Sequence, residues 1–121
     1  MSEARTRHED ERETVTRDLT AFQRNILAIL ADEPMYGLAI KRELESYYGA
    51  DVNHGRLYPN LDDLVDMGLV EKSELDKRTN QYALTDTGRE TVVDQLGWLL
   101  EKYITDAGRR REIEQLLDGV A

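Results

Sequence analysis

Between Asn53 and Asn60 the chain gathers side chains that can grip or read a nucleic acid: Asn53, His54, Arg56, Tyr58 and Asn60, within NHGRLYPN. Arginine offers a planar fork of donors that fits a guanine edge or a phosphate. Asn53 is either a helix cap or a base reader. Asn60, one helical turn from Arg56, either supports it or meets the backbone of a duplex. His54 is a hydrogen-bond donor or a plain surface group. Tyr58 can pack behind a helix while its hydroxyl reaches a phosphate. Two more basic pairs stand apart from this cluster, Lys41-Arg42 before it and Lys77-Arg78 after it. Lys41 and Arg42 suit a backbone contact, and Lys77 and Arg78 a phosphate or minor-groove contact. Ordinary solvation is the competing reading for each of these basic groups.

Other chemistries find little support. There is no glycine-rich phosphate loop, no HExxH and no GxSxG. Two histidines, His8 and His54, and no cysteine leave no metal cluster, disulfide or thiol redox centre. No cofactor is expected, and no catalytic residue. Any oxidant sensing would run through Met1, Met35 or Met67, a ligand, or another protein. Asp62, Asp63 and Asp66 fall opposite a leucine stripe, where a charge run usually serves solvation. In concentrated salt these acids can hold hydrated cations weakly, letting an acidic surface lie beside phosphate.

Net charge sets the main objection to a nucleic-acid partner. The 121 residues carry 16 Lys and Arg against 25 Asp and Glu, a formal charge of −9. DNA affinity comes largely from basic groups neutralising phosphates. Either the few basic groups collect on one face, or the protein works in strong salt. The second option fits the scarcity of lysine, present only at 41, 72, 77 and 102. In molar salt the screening length drops to about 3 Å, so repulsion among carboxylates costs little. An ordinary acidic domain is the alternative. No apolar run is long enough to span a membrane, and the start lacks the apolar centre of a signal peptide, so the expectation is a cytoplasmic protein.

The elements that must position the 53–60 cluster follow from periodicity. Residues 1–19 are almost wholly polar and read as an arm, whose Arg5, Arg7, Arg12 and Arg17 either touch DNA or stay solvated. Thr20 with Gln23 forms a capping box for a first helix carrying Phe22, Ile26, Leu27, Ile29 and Leu30, ended by Asp32-Glu33-Pro34. A second helix is expected from Met35 or Tyr36 to Ser46, with Leu38, Ile40 and Leu44 inward and Tyr47-Tyr48-Gly49 as its stop. A third carries the buried stripe Leu57, Leu61, Leu64 behind the polar cluster, with Pro59 in its first turn and Gly68 at its end. The period then changes. Residues 69–73 and 80–84 read as two strands, with Lys77-Arg78 at the tip of the turn and Val70, Tyr82 and Leu84 as anchors. Thr85 caps a long helix bearing Val92, Val93, Leu96, Leu99, Leu100 and Tyr103. Its 4-3-4 spacing through 92, 96, 99 and 103 is the rhythm of a helix seam, and Trp98 stands beside it. That seam points to the same helix of a second chain, a homodimer, or else folds back on its own domain. Asp106-Ala107-Gly108 loosens or breaks the helix. Arg109-Arg110-Arg111 then pairs with nearby acids or touches DNA, and Ile113, Leu116 and Leu117 make a last amphipathic segment.

Helix, helix-turn-helix and hairpin in this order describe an α+β winged helix-turn-helix: three helices and a two-stranded wing, followed by a long C-terminal dimerisation helix. The expected division is an arm over 1–19, a DNA-binding domain over 20–85 and a helical dimerisation region over 86–121. Three motifs carry a family resemblance. GRLYPNLDDLVDMGLV at 55–70, MYGLAI at 35–40 and YALTDTG at 82–88 resemble the PadR-like winged-helix transcription regulators. The resemblance implies a dimer on double-stranded DNA with two half-sites. It gives the recognition role to 53–60, the wing role to Lys77 and Arg78, and the dimer role to 86–103. With the acidic composition it extends to a haloarchaeal oxidative-stress branch of that family. The chain departs from typical members in its acidity and in lacking a long C-terminal helical domain, which leaves little room for an effector pocket. A winged-helix module that docks proteins rather than DNA is the competing function.

Overall fold

The computed structural model describes residues 18–76 and 79–120. Residues 1–17 of the expected arm, with Arg5, Arg7, Arg12 and Arg17, therefore lie outside the described residues, and so do Lys77 and Arg78, whereas Leu19, given to the arm by the sequence, is buried in the core. Helix α1 spans Ala21–Leu30, and its capping box forms as expected: the Thr20 hydroxyl takes the Gln23 N–H while the Gln23 side chain takes that of Thr20. Phe22, Ile26, Leu27 and Leu30 are buried.

The next segment departs from the sequence reading. Met35–Tyr36 is a short strand, β1, and helix α2 runs from Gly37–Tyr48. Met35 and Tyr36 pair antiparallel with Tyr82 and Gln81, so the open edge of the wing claims backbone groups that a helix would otherwise use. Leu38 is exposed rather than inward. The buried line is Gly37, Ile40 and Leu44, at the i, i+3, i+7 positions of one face. Tyr47 and Tyr48 do not stop the helix. Gly49 does, at φ 67° and ψ 27°, a left-handed conformation that glycine adopts without a Cβ penalty.

Helix α3 spans His54–Asp66, with Leu57, Leu61 and Leu64 fully buried. It begins at His54, so Pro59 is its sixth residue and not part of its first turn. The proline removes one amide bond, the one toward the Gly55 carbonyl. Strands β2, Val70–Asp76, and β3, Thr79–Leu84, reach further into the expected turn than the pattern suggested. Their register runs from Val70 opposite Leu84 to Glu74 opposite Asn80, with an irregularity before Asp76. The wing is thus part of a three-stranded sheet in the order β1-β3-β2, with β1 as the added strand. Val70 and Tyr82 are buried in the core, and Leu84 packs partly against it.

Helix α4 spans Asp86–Tyr103 under a Thr85 cap. Its first turns lie against the wing: Thr85 donates its hydroxyl to the Gly68 carbonyl and its amide to that of Leu69. A Cβ on Gly88 would meet the Leu69 carbonyl oxygen at 2.1 Å, so only glycine permits this approach. Thr91 is buried and Val92 packs on the core, but the rest of the apolar stripe is open. The chain breaks at Ile104, and Asp106 caps a separate helix, α5, over Ala107–Asp118. The expected break thus forms at 104–106, and Ala107 and Gly108 open the helix that follows it.

Candidate nucleic-acid interface

The leading end of α3 is held from three directions. Asn53 is its cap, and Oδ1 accepts the Gly55 N–H at 2.6 Å. In the preceding turn, Glu45 Oε2 accepts the Val52 N–H at 2.9 Å and pairs with Lys41 Nζ at 3.0 Å. Those contacts hold the Glu45 carboxyl below its ordinary value, the Val52 amide first and Lys41 second. Lys41 is thereby engaged in fixing the turn between α2 and α3, while Arg42 beside it is exposed.

His54, Arg56 and Tyr58 occupy three different settings. His54 is exposed and stacks on Tyr58, ring centroids 5.6 Å apart with planes 1° from parallel. Tyr58 is half-buried, and its hydroxyl end crowds Gly37: a Cβ there would stand 2.7 Å from Oη. Gly37 thus leaves room for the Tyr58 ring, and tight packing is its role. Arg56 is exposed, yet its guanidinium lies 4.0 Å above the Phe22 ring and 6.0 Å from that of Tyr48. Asn60 acts as a brace. Its Nδ2 donates to the Arg56 carbonyl at 2.7 Å, and its Oδ1 accepts from Gln23 Nε2 at 3.2 Å.

The structure therefore brings Asn53, His54, Arg56, Tyr58 and Asn60 to one end of α3, with Arg42 on the adjoining helix. Sequence reasoning missed the residues that support them. Gln23 was legible as a cap, but not as a brace for Asn60 across 37 positions. Tyr48 reads as punctuation, whereas it stacks on Phe22 and accepts a hydrogen bond from Asn25 Nδ2 at 2.8 Å. No local pattern links 25 to 48. The acids Asp62, Asp63 and Asp66 are exposed on α3, as expected. Among the described residues no group of three or more His, Asp or Glu is placed to hold a metal ion, and no helix is long and apolar enough to cross a membrane.

Three helices, a sheet-borne wing and a polar recognition-helix end define a winged helix-turn-helix protein. The chain belongs to the transcriptional regulator PadR-like family, whose model matches residues 26–94. That is a family of regulators, not enzymes. The fold superimposes on RosR of Halobacterium salinarum, from crystals grown from NaBr, with a TM-score of 0.82 and 67% identity, covering 85% of this chain and 94% of that one. It also matches a complex of hsRosR-S4, with a TM-score of 0.86, 64% identity and coverage of 89% and 94%. Among curated proteins it is similar to the transcriptional activator GvpE1 of H. salinarum, 32% identical over 98 residues. That match takes in 74% of this chain and 51% of GvpE1, so the chain spans about half the length of that relative.

Proposed function

We propose that the chain is a sequence-specific DNA-binding transcription regulator that acts as a homodimer at promoters in a high-salt cytoplasm. The observation that carries this reading is the end of α3. A fully buried leucine stripe fixes the helix from behind, Asn53, His54 and Arg56 occupy its positive leading end, and Tyr58 and Asn60 follow in the next turn. Arg42 extends that surface along α2. Lys41 contributes through the turn it braces, and Lys77 and Arg78 contribute from the wing tip. Residues 20–85 form the DNA-binding unit, 86–121 the dimerisation region and 1–19 an arm. Val92, Val93, Leu96, Leu99, Leu100 and Tyr103 make the dimer contact. Cations held by the α3 acids offset repulsion from phosphate. The oxidative-stress role implied by the resemblance belongs to this reading. With no thiol in the chain, that signal would enter through a methionine, a ligand or another protein.

The test is fluorescence anisotropy on a duplex selected by the protein from a random pool, titrated with KCl from about 0.1 to 3 M. Binding that persists into molar salt, with a shallow slope, is the expected result. Collapse of binding on adding salt would leave only nonspecific charge attraction. The net charge of −9 favours a second reading, a winged-helix module that docks proteins. Failure of the folded protein to select any duplex at any salt would establish that reading in place of the first.

A further inference from the structure

Arg56 stands out because its surroundings use only part of its chemistry. Its guanidinium carbon lies over two rings, 4.0 Å from the centre of Phe22 and 6.0 Å from that of Tyr48. The two rings are themselves stacked, 16° from parallel with centroids 6.2 Å apart. Tyr48 is fixed in turn by the Asn25 hydrogen bond and by an edge contact with Tyr47. Among the described residues no carboxylate pairs with Arg56. Its charge is therefore engaged by the rings, while its N–H donors meet no carboxylate among the described residues. The backbone is held as well, since Asn60 ties the Arg56 carbonyl to Gln23 on α1.

Direction matters here. Phe22 belongs to α1 and Tyr48 ends α2, so the side chain leans off α3 toward the flanking helices. A base-reading side chain points instead along the groove face of its own helix. We infer that Phe22 and Tyr48, with Asn25 behind them, are positioning residues. They form an aromatic cradle that holds Arg56 for a DNA phosphate at the edge of the groove, and not for a base. This rests on the DNA-binding reading above and names what one of its residues contacts. A pre-set arginine loses little side-chain freedom on binding. Such economy suits a chain with few basic groups and strong screening.

The experiment is a double-mutant cycle between Tyr48→Leu and Arg56→Ala, on the full chain. Phe22→Leu is a second cradle variant that keeps an apolar side chain in the core. Affinity is read on the pool-selected duplex and on an unrelated duplex of equal length, across a KCl series, after thermal melts confirm folding. Tyr48→Leu should weaken both duplexes by the same factor, about twofold to tenfold, the ordering cost of one long side chain. It should cost nothing further once Arg56 is alanine. Arg56→Ala should lower the salt slope by about one, the signature of one lost phosphate contact. In the free protein, the Arg56 Nε–H proton resonance should be shifted by the rings and should move in Tyr48→Leu. Additive losses, or an unshifted resonance, would overturn the cradle. Loss confined to the selected duplex would overturn the phosphate and make Arg56 a base reader. If the parent protein selects no duplex, the DNA reading itself fails and carries this inference with it, a result distinct from the other two.

Discussion

At the scale of single residues, the leading end of α3 depends on polar side chains that cap and brace more than on groups aimed outward. Glu45 is the clearest case. Its folded pKa is held below the ordinary 4.5 by the Val52 amide and Lys41. A depressed carboxyl contributes stability that is complete above its unfolded pKa and is lost as pH falls through the folded one. Glu45→Gln keeps an acceptor for Val52 but removes the charge. The parent should therefore be the more stable of the two near pH 7, and the gap should close below about pH 4. Urea midpoints of both proteins across that range measure it, and a gap independent of pH would remove the charge from the account. Asn53 gives a second prediction. Because its Oδ1 caps α3 at Gly55, Asn53→Ala should cost about 1 kcal/mol of stability whatever it does to DNA affinity. A thermal melt of the DNA-free protein that matches the parent would show the cap to be dispensable, leaving Asn53 free for base reading.

At the scale of elements, helices were legible where an apolar stripe met a cap. Thr20 with Phe22 and Ile26, Asn53 with Leu57 and Leu61, and Thr85 at α4 all form as their local patterns dictate. Strand β1 was not legible, because two residues have no period. Met35 and Tyr36 become a strand only through partners that lie 45 or more positions away. The ends of β2 and β3 were misplaced for a related reason: the polar residues Glu74, Asp76 and Thr79 extend the ladder through backbone pairing. The cradle under Arg56 escaped too, since it joins three helices through side chains without common spacing. Gly88 shows how one residue can decide where two elements meet. Its missing Cβ lets α4 rest against the Leu69 carbonyl, with Leu84 Cδ1 also 2.7 Å from where that atom would be. The Leu69 carbonyl already accepts from the Thr85 amide and cannot retreat cheaply. Gly88→Ala should therefore cost about 3 kcal/mol or more, at the upper end of overpacking effects. Chemical denaturation reads the loss. A change below about 1 kcal/mol would mean that α4 can lift from the wing without penalty.

At the scale of the whole molecule, the single chain leaves too much apolar surface uncovered beyond Val92. Val93 is 60% exposed, Leu96 54%, Trp98 56% and Leu99 49%, with Tyr103 further along the same helix. Leu116, Leu117 and Val120 add to this from α5 and just beyond it. The corner between the two helices is tied, because the Tyr103 hydroxyl donates to Glu112 while Arg109 lies over its ring and donates to its carbonyl. Tyr103 is held above its ordinary pKa mainly by that carboxylate, so the tie persists through neutral pH. Exposed apolar side chains at the helical spacing of Leu96, Leu99 and Tyr103 mark an association surface. A chain of charge −9 would meet repulsion across such a contact in dilute buffer, and strong salt removes it. Leu96→Glu combined with Leu99→Glu should therefore yield a folded monomer, because neither side chain is buried within one chain. Sedimentation velocity in about 2 M KCl, where screening is nearly complete, would show it. Affinity for a two-half-site duplex should then fall by a factor of about 10² to 10⁴, the advantage that joining two binding units provides. Affinity for a single half-site should hold. A double variant that remains dimeric would move the interface off α4. A parent that is already monomeric in molar salt would require its half-sites to be filled independently.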